Sequence, residues 1–157
     1  MEPLFETSTQ CTYEEYKKFS RVISLKEHKF AITFFITEVV MFCCGLLSIS
    51  LHLNDFVLFC FCFVIIYPVL LLCRTNASIK KTWNSNQLYQ NSVSYYYFYG
   101  DHMEQKNELG TSQIPYDKLY RILETKTNFY LLIAKNQGVI IKKENCSEEL
   151  IDFLKKL

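Results

Sequence analysis

FAITFFITEVVMFCCGLLSISL (Phe30–Leu51) and, after HLND, FVLFCFCFVIIYPVLLLC (Phe56–Cys73) decide how this chain reads. The first run has 22 residues and one charge, Glu38; the second has 18 and none. At a helical rise of ~1.5 Å per residue they reach ~33 and ~27 Å, close to the ~30 Å of a bilayer's hydrocarbon core. Both are apolar on every side, which leaves no stripe for water. They read as two transmembrane helices. The competing reading, two buried helices of a soluble bundle, asks a 157-residue chain to cover both runs completely.

The link His52-Leu53-Asn54-Asp55 is short enough to force an antiparallel hairpin. Its backbone must reach an interface where water can bond it. Lys17, Lys18, Arg21, Lys26 and Lys29 precede the first run, and Arg74, Lys80 and Lys81 follow the second; the link has no Lys or Arg. The positive-inside bias then puts both termini in the cytoplasm. The first run starts too late and is too long for a cleavable signal peptide, and another span follows it. Cys43, Cys44, Cys60, Cys62 and Cys73 lie in or beside the runs, and Cys11 and Cys146 are isolated. This is the pattern of small apolar packing residues, with no metal-ligand spacing.

Outside the runs the chain is balanced, with a formal net charge of +1 and a mean hydropathy of +0.04 over the whole. That composition excludes a disordered or collagen-like chain and gives no footing for nucleic acid as the partner. The soluble pieces are residues 1–29 and 74–157, on either side of the hairpin segment 30–73. In the first, Leu4–Thr7 reads as a strand. Thr12 with Glu15 reads as a capping box before an amphipathic helix from about Tyr13 to Leu25. That helix either lies against anionic lipid or packs on the protein's own sheet; the five acids of residues 1–29 balance five bases, which favours the sheet.

In the second piece, Arg74–Leu88 is polar and opens as a continuation of the second span. Ser94–Tyr99, Met103–Leu109, Leu119–Thr125, Phe129–Ala134 and Gly138–Lys142 read as strands. Gly100-Asp101, Lys126-Thr127-Asn128 and Lys135–Gly138 read as turns. Asn145 or Ser147 caps a final helix whose apolar face is Leu150, Ile151, Leu154 and Leu157. The fold class is therefore α+β. It has a small curved antiparallel sheet plugged by a C-terminal amphipathic helix, and the transmembrane hairpin is an insertion if the N-terminal strand completes that sheet.

The opening Phe5 with Thr12-Tyr13-Glu14-Glu15-Tyr16, the tight two-span hairpin and a C-terminal module resemble the YcxB-like family of small bacterial membrane proteins. That module reads Ile114-Pro115-Tyr116-Asp117-Lys118-Leu119, Glu124-Thr125, Phe129-Tyr130-Leu131 and Val139-Ile140-Ile141-Lys142-Lys143. The resemblance implies a bacterial inner-membrane protein whose cytoplasmic part is a PH-like (pleckstrin-homology-like) barrel. It brings no catalytic residues with it.

Glu38 is the most informative single residue. It lies ~12 Å along the first span, where a charge costs at least ~2.5 kcal/mol, so it should be neutral and face the other helix. A hairpin centred near Leu53-Asn54 sets Tyr67, Pro68 and Val69 opposite it. The expected bond is to Tyr67 or to the carbonyl freed by Pro68. A proton or ion relay in an oligomer is the functional alternative, and a site for another membrane protein is a third. In the strand Tyr95–Tyr99, alternate residues Tyr95, Tyr97 and Tyr99 share one face. That face either stacks on a ligand or sits among lipid head groups, or it packs on the N-terminal helix. Lys142 and Lys143, with Lys155 and Lys156, form either a basic patch toward lipid phosphates or an ordinary solvated surface. His28 and His52 fall at opposite membrane faces. No nucleophile motif, phosphate loop, metal motif or cofactor fingerprint occurs.

These residues point to a non-enzymatic membrane protein, without a cofactor, that binds membrane lipid and either a protein partner or further copies of itself. Two alternatives carry the same features: an immunity protein against a membrane-acting toxin, and a subunit of an oligomeric transporter or channel.

Overall fold

The computed structural model describes residues 2–27 and 30–157. His28 and Lys29, read above as a membrane-face histidine and a flanking base, lie outside the described residues. The elements in order are β1 (Phe5–Gln10), α1 (Tyr13–Glu27), α2 (Phe30–Ser50), α3 (Asn54–Ser85), β2 (Val93–Phe98), β3 (His102–Asn107) and β4 (Gly110–Pro115), then β5 (Arg121–Glu124), β6 (Asn128–Ala134), β7 (Gln137–Lys142) and α4 (Glu148–Lys156). They make an α+β chain with two antiparallel sheets among the described residues. Two compact units form: Met1–Ile23 with Asn86–Leu157, and Ser24–Ser85.

In the first unit, β1 pairs antiparallel with β2, Phe5 opposite Phe98 and Gln10 opposite Val93. Residues from both sides of the hairpin thus make one sheet. Its order is β1-β2-β3-β4, and the second sheet is β5-β6-β7. The β1 edge meets the end of β7, where the Lys142 N–H donates to Thr9 Oγ1 at 3.4 Å, and the turn that follows it. Thr7 Oγ1 donates to the Asn145 carbonyl at 2.7 Å, and Asn145 Nδ2 donates to the Ser8 carbonyl at 2.7 Å. Those bonds let Thr7 lie buried without leaving its hydroxyl unmatched.

The main core takes Phe98, Met103 and Ile114 from the first sheet, Phe129, Leu131 and Ile141 from the second, and Leu150 and Leu154 from α4. Each such fully buried side chain contributes about 1.5–3 kcal/mol relative to exposure. The other face of the second sheet is also covered: Tyr130, Leu132, Leu123 and Ile140 pack with Phe19 and Ile23 of α1. Burial on both faces is why β6 reads as a continuous apolar run instead of an alternating one. The helix α1 therefore packs on the protein's own sheet. Ser147 caps α4, its hydroxyl accepting from the Leu150 N–H at 3.2 Å.

The sequence reading missed β4. Gly110-Thr111-Ser112-Gln113 is exposed and polar, so no hydrophobic alternation marks it. The turn before it sets its pairing: the Leu109 N–H bonds to Asn107 Oδ1 at 3.0 Å, and Gly110 has φ +142°.

In the second unit, α2 and α3 form an antiparallel pair. Ile32–Ser50 and Asn54–Ser85 are each long and apolar enough to cross a membrane, with 11% and 6% of their apolar windows buried by protein. At the tip, the Leu53 N–H bonds to the Ser48 carbonyl at 3.0 Å and the His52 N–H to the Ile49 carbonyl at 3.2 Å. His52 has φ +56°, so this is a Schellman ending with histidine where glycine is usual. The helices meet closely at Gly45, where an added Cβ would stand 3.3 Å from Cys60 Cβ. Above it Phe42 packs edge-on to Phe61, ring centroids 5.9 Å apart, and Phe34 stacks on Tyr67 at 5.8 Å. The helix α3 does not stop at Cys73 but runs on through Arg74, Lys80 and Lys81 to Ser85. Its 32 residues are ~48 Å long, well beyond a hydrocarbon core.

Candidate binding surfaces

Glu38 shares a helix face with Phe34 and Phe42, one turn away on either side, and both of those touch α3. It therefore lies in the seam between the helices. Midway between the Phe34–Tyr67 and Phe42–Phe61 contacts, its level falls opposite Val64 and not Tyr67. The expected bond to Tyr67 is not made: Glu38 Oε1 is buried with no hydrogen-bond partner among the described residues. The Tyr67 ring is held instead between Phe34 and Phe63, 5.8 and 4.9 Å away. Pro68 lies inside α3 and has no N–H to give, so the carbonyl it frees is that of Val64, on the level of Glu38.

Tyr95, Tyr97 and Tyr99 do share the outward face of the first sheet, while Tyr96 and Phe98 enter the core. The helix α1 does not cover them, since it packs on the other sheet. Tyr95 is 51% exposed, beside Ser8 and Lys106 on the neighbouring strands. Tyr97 stands between Glu6 and Glu104. Tyr99 stacks on the His102 ring at 4.6 Å, and His102 Nδ1 is 2.6 Å from Asp101. Partial burial, with Glu104 close by, pushes the Tyr99 hydroxyl above its ordinary pKa.

Lys142 and Lys143 are engaged within the protein. Lys142 Nζ is 3.2 Å from Glu144 and 4.0 Å from Glu15. Lys143 Nζ reaches Glu124 at 2.5 Å and lies over the Phe129 ring, 4.6 Å from its centroid. Each is paired with carboxylates of its own unit. Lys155 is 3.6 Å from Asp152.

A buried polar cluster went unread in the sequence. Glu15 is 6% exposed and Asn128 1%. Asn128 Nδ2 donates to Glu15 Oε2 at 2.5 Å and also reaches the Tyr130 hydroxyl, at 3.2 Å. Lys18 Nζ donates to Glu15 Oε1 at 2.8 Å. Burial pushes the Glu15 carboxyl up, but hydrogen bonds from Lys18 and Asn128 and the charges of Lys18 and Lys142 outweigh it. The group sits below the ordinary glutamate value. Half of the expected capping box is present, the Glu15 N–H bonding Thr12 Oγ1 at 3.4 Å. The carboxylate turns inward to the sheet instead of back to the helix start. The only hint in the sequence was an amide at the head of an apolar run.

A groove of about 410 Å³ lies between β5 and the end of α4. Leu119, Ile122 and Leu154 line it with Arg121, Glu124 and Lys155. Among the described residues no group of His, Cys, Asp and Glu is gathered as a metal site.

Comparison with protein families matches residues 98–157 to the family described as YcxB-like protein. Over those residues the chain is similar to that family. The matched segment runs from the end of β2 through α4, so it holds the groove, Lys142 and Lys143. Of the resemblance drawn from the sequence, the C-terminal module from Ile114 to Lys143 falls within it. Phe5, Thr12–Tyr16, the hairpin, Tyr95 and Tyr97 fall outside. No curated protein and no solved structure matches the chain.

Proposed function

We propose that this protein is a non-enzymatic, membrane-anchored binding module of the bacterial inner membrane, with both termini and the folded unit on the cytoplasmic side. One observation carries the anchoring. The two long apolar helices are almost bare of protein cover, so Phe35, Leu47, Leu58, Ile65 and Leu72 all face outward. In water such a surface would drive aggregation; in lipid it costs nothing. The sidedness follows from Arg74, Lys80 and Lys81 on α3 against a tip with no Lys or Arg. A PH-like barrel is the reading that best fits a β1-β2-β3-β4 sheet, a β5-β6-β7 sheet joined at the β1 and β7 edges, and a C-terminal helix in the core. Binding of a protein partner or of lipid is supported by the outward tyrosines and the groove.

Reporter fusions after Leu157 and inside His52–Asp55 test the anchoring; they should read the cytoplasmic and the opposite side. A cytoplasmic tip, or a purified chain that stays monomeric in plain buffer, overturns it. Capture of a defined partner by the intact protein in detergent tests the binding role.

A second reading, a subunit of an oligomeric channel or transporter, is favoured by the unpartnered Glu38 oxygen in the seam. It requires ion flux in reconstituted vesicles that Glu38→Gln abolishes.

A further inference from the structure

The outward face of the first sheet joins a row of tyrosines to an uneven spread of charge. In the paired register Glu6 of β1, Tyr97 of β2, Glu104 of β3 and Gln113 of β4 form one row straight across that face. The next row sets Tyr95 between Ser8 and Lys106. Adjacent strands lie ~4.8 Å apart, so Glu6 and Glu104 flank Tyr97 with their backbones ~10 Å from each other, close enough to share one cation held there. The helix α1 lies on the other sheet and α4 enters the core, so neither covers these side chains. Tyr95 is exposed and Tyr97 half-buried, and open aromatic side chains are what protein interfaces are enriched in.

The charges decide the occupant. Glu6 is exposed. Glu104 stands beside the Tyr99 hydroxyl and 4.0 Å from His102 Nε2, while His102 Nδ1 is already 2.6 Å from Asp101. Lys106, two residues along β3 on the same face, offsets part of this, and Asp117 and Lys118 just beyond β4 carry opposite signs. Three carboxylates thus face one lysine and one histidine that two of them share. The excess of negative charge lies at the Tyr97–Tyr99 end, and Lys106 offsets it at the Tyr95 end. Anionic head groups would be repelled there, and a second copy brings three more carboxylates with its one lysine. A cation is the complement. An aromatic ring flanked by carboxylates suits a guanidinium, which stacks on the ring and bonds two acceptors at once.

We propose that this sheet face binds a basic segment of a partner protein, with an arginine laid on Tyr97 between Glu6 and Glu104 and an uncharged residue over Tyr95. This rests on the reading of the folded unit as a binding module and names its face and its partner's chemistry.

The test uses the full chain in micelles of an uncharged detergent. The probe is a fluorescent hexapeptide alternating arginine with serine, followed by anisotropy. Saturable binding is expected, and aspartate in place of arginine in the probe should abolish it. Tyr97→Ala should weaken binding about fivefold and Tyr97→Phe should leave it unchanged, since the ring carries the contact. Glu104→Gln should weaken it about threefold, and Lys106→Glu should tighten it about threefold, a gain that no damage to the fold would produce. Asp152→Lys on α4 makes as large a charge change away from this face and should have no effect. Absence of saturable binding, an equal loss from Asp152→Lys, or no gain from Lys106→Glu overturns the proposal. So does a dimer, or co-purifying phospholipid, that Tyr97→Ala removes while the peptide does not bind; the face then belongs to a second copy or to lipid. If the intact protein captures a partner whose binding Tyr97→Ala and Glu104→Gln leave unchanged, this face assignment falls and the binding module stands. If it captures none and the hexapeptide does not bind, both fall.

Discussion

Asn128→Ala should be among the most damaging single changes in the folded unit. The amide is 1% exposed and bonds a carboxylate that is itself almost fully buried. Removing it deletes a charge-assisted hydrogen bond at 2.5 Å and the contact with the Tyr130 hydroxyl at 3.2 Å. Lys18 remains, so the carboxylate is not stripped of every partner. A hydrogen bond to a buried charge contributes about 1.5–3 kcal/mol, and the methyl leaves a small void, so a loss of ~2–3 kcal/mol is expected. For a unit of this size that lowers the midpoint by roughly 10–20 °C. The assay is thermal unfolding of the full chain in detergent, followed by near-ultraviolet circular dichroism. Combining Asn128→Ala with Glu15→Gln should cost less than the two losses added together, with a coupling of at least ~1 kcal/mol. A midpoint within ~2 °C of wild type, or strict additivity, would refute the argument that this bond is made in the native state.

Acid should act on the same cluster. The folded Glu15 carboxyl lies below its ordinary value of 4.5, so the stability it gives is present above that pH and is lost as pH falls through the folded value. Glu15→Gln should flatten that part of the stability–pH curve; an unchanged slope would assign it to other carboxylates. Gly138→Ala should destabilise by about 1–3 kcal/mol in denaturant titration, because the new Cβ would stand 2.5 Å from the Leu131 carbonyl oxygen and 2.9 Å from Leu132 Cδ2. Glu38→Leu should leave the hairpin as stable as before, or more so, since the carboxyl oxygen it removes has no partner. A loss above ~1 kcal/mol in detergent unfolding would mean that Glu38 is satisfied in lipid. Gly45→Ile should weaken the helix pair, because even a methyl there meets Cys60 Cβ at 3.3 Å; unchanged resistance to SDS would contradict the close approach.

What the sequence conveyed depended on how many neighbours a residue needed to reveal its role. The two long apolar helices are legible because length and apolarity are written into each run separately. The hairpins of β2–β3 and β5–β6–β7 are legible because their turn residues are local. The face covered by α1 was not: Phe19 and Ile23 show that the helix is amphipathic, but not which of two sheets it meets. The outward tyrosines were accordingly offered a partner that went elsewhere. The strand β4 was missed because its placement comes from the turn at Gly110 and from pairing with β3, and its own residues are polar. The Glu15–Asn128 bond joins positions 113 residues apart, and each has an ordinary local reading as a helix-start or turn residue.

The pairing of β1 with β2 has a consequence for how such a chain is made. Everything from Thr12 to Ser92, both apolar helices included, must leave the ribosome before the first strand meets its neighbour. Were only one helix to enter the bilayer, the two strands would be stranded in different compartments and the sheet could not assemble. On the proposed anchoring, completion of the β1–β2 pairing reports that both apolar helices went in as a pair, and a botched insertion would expose an orphan strand edge to the proteases that clear such products.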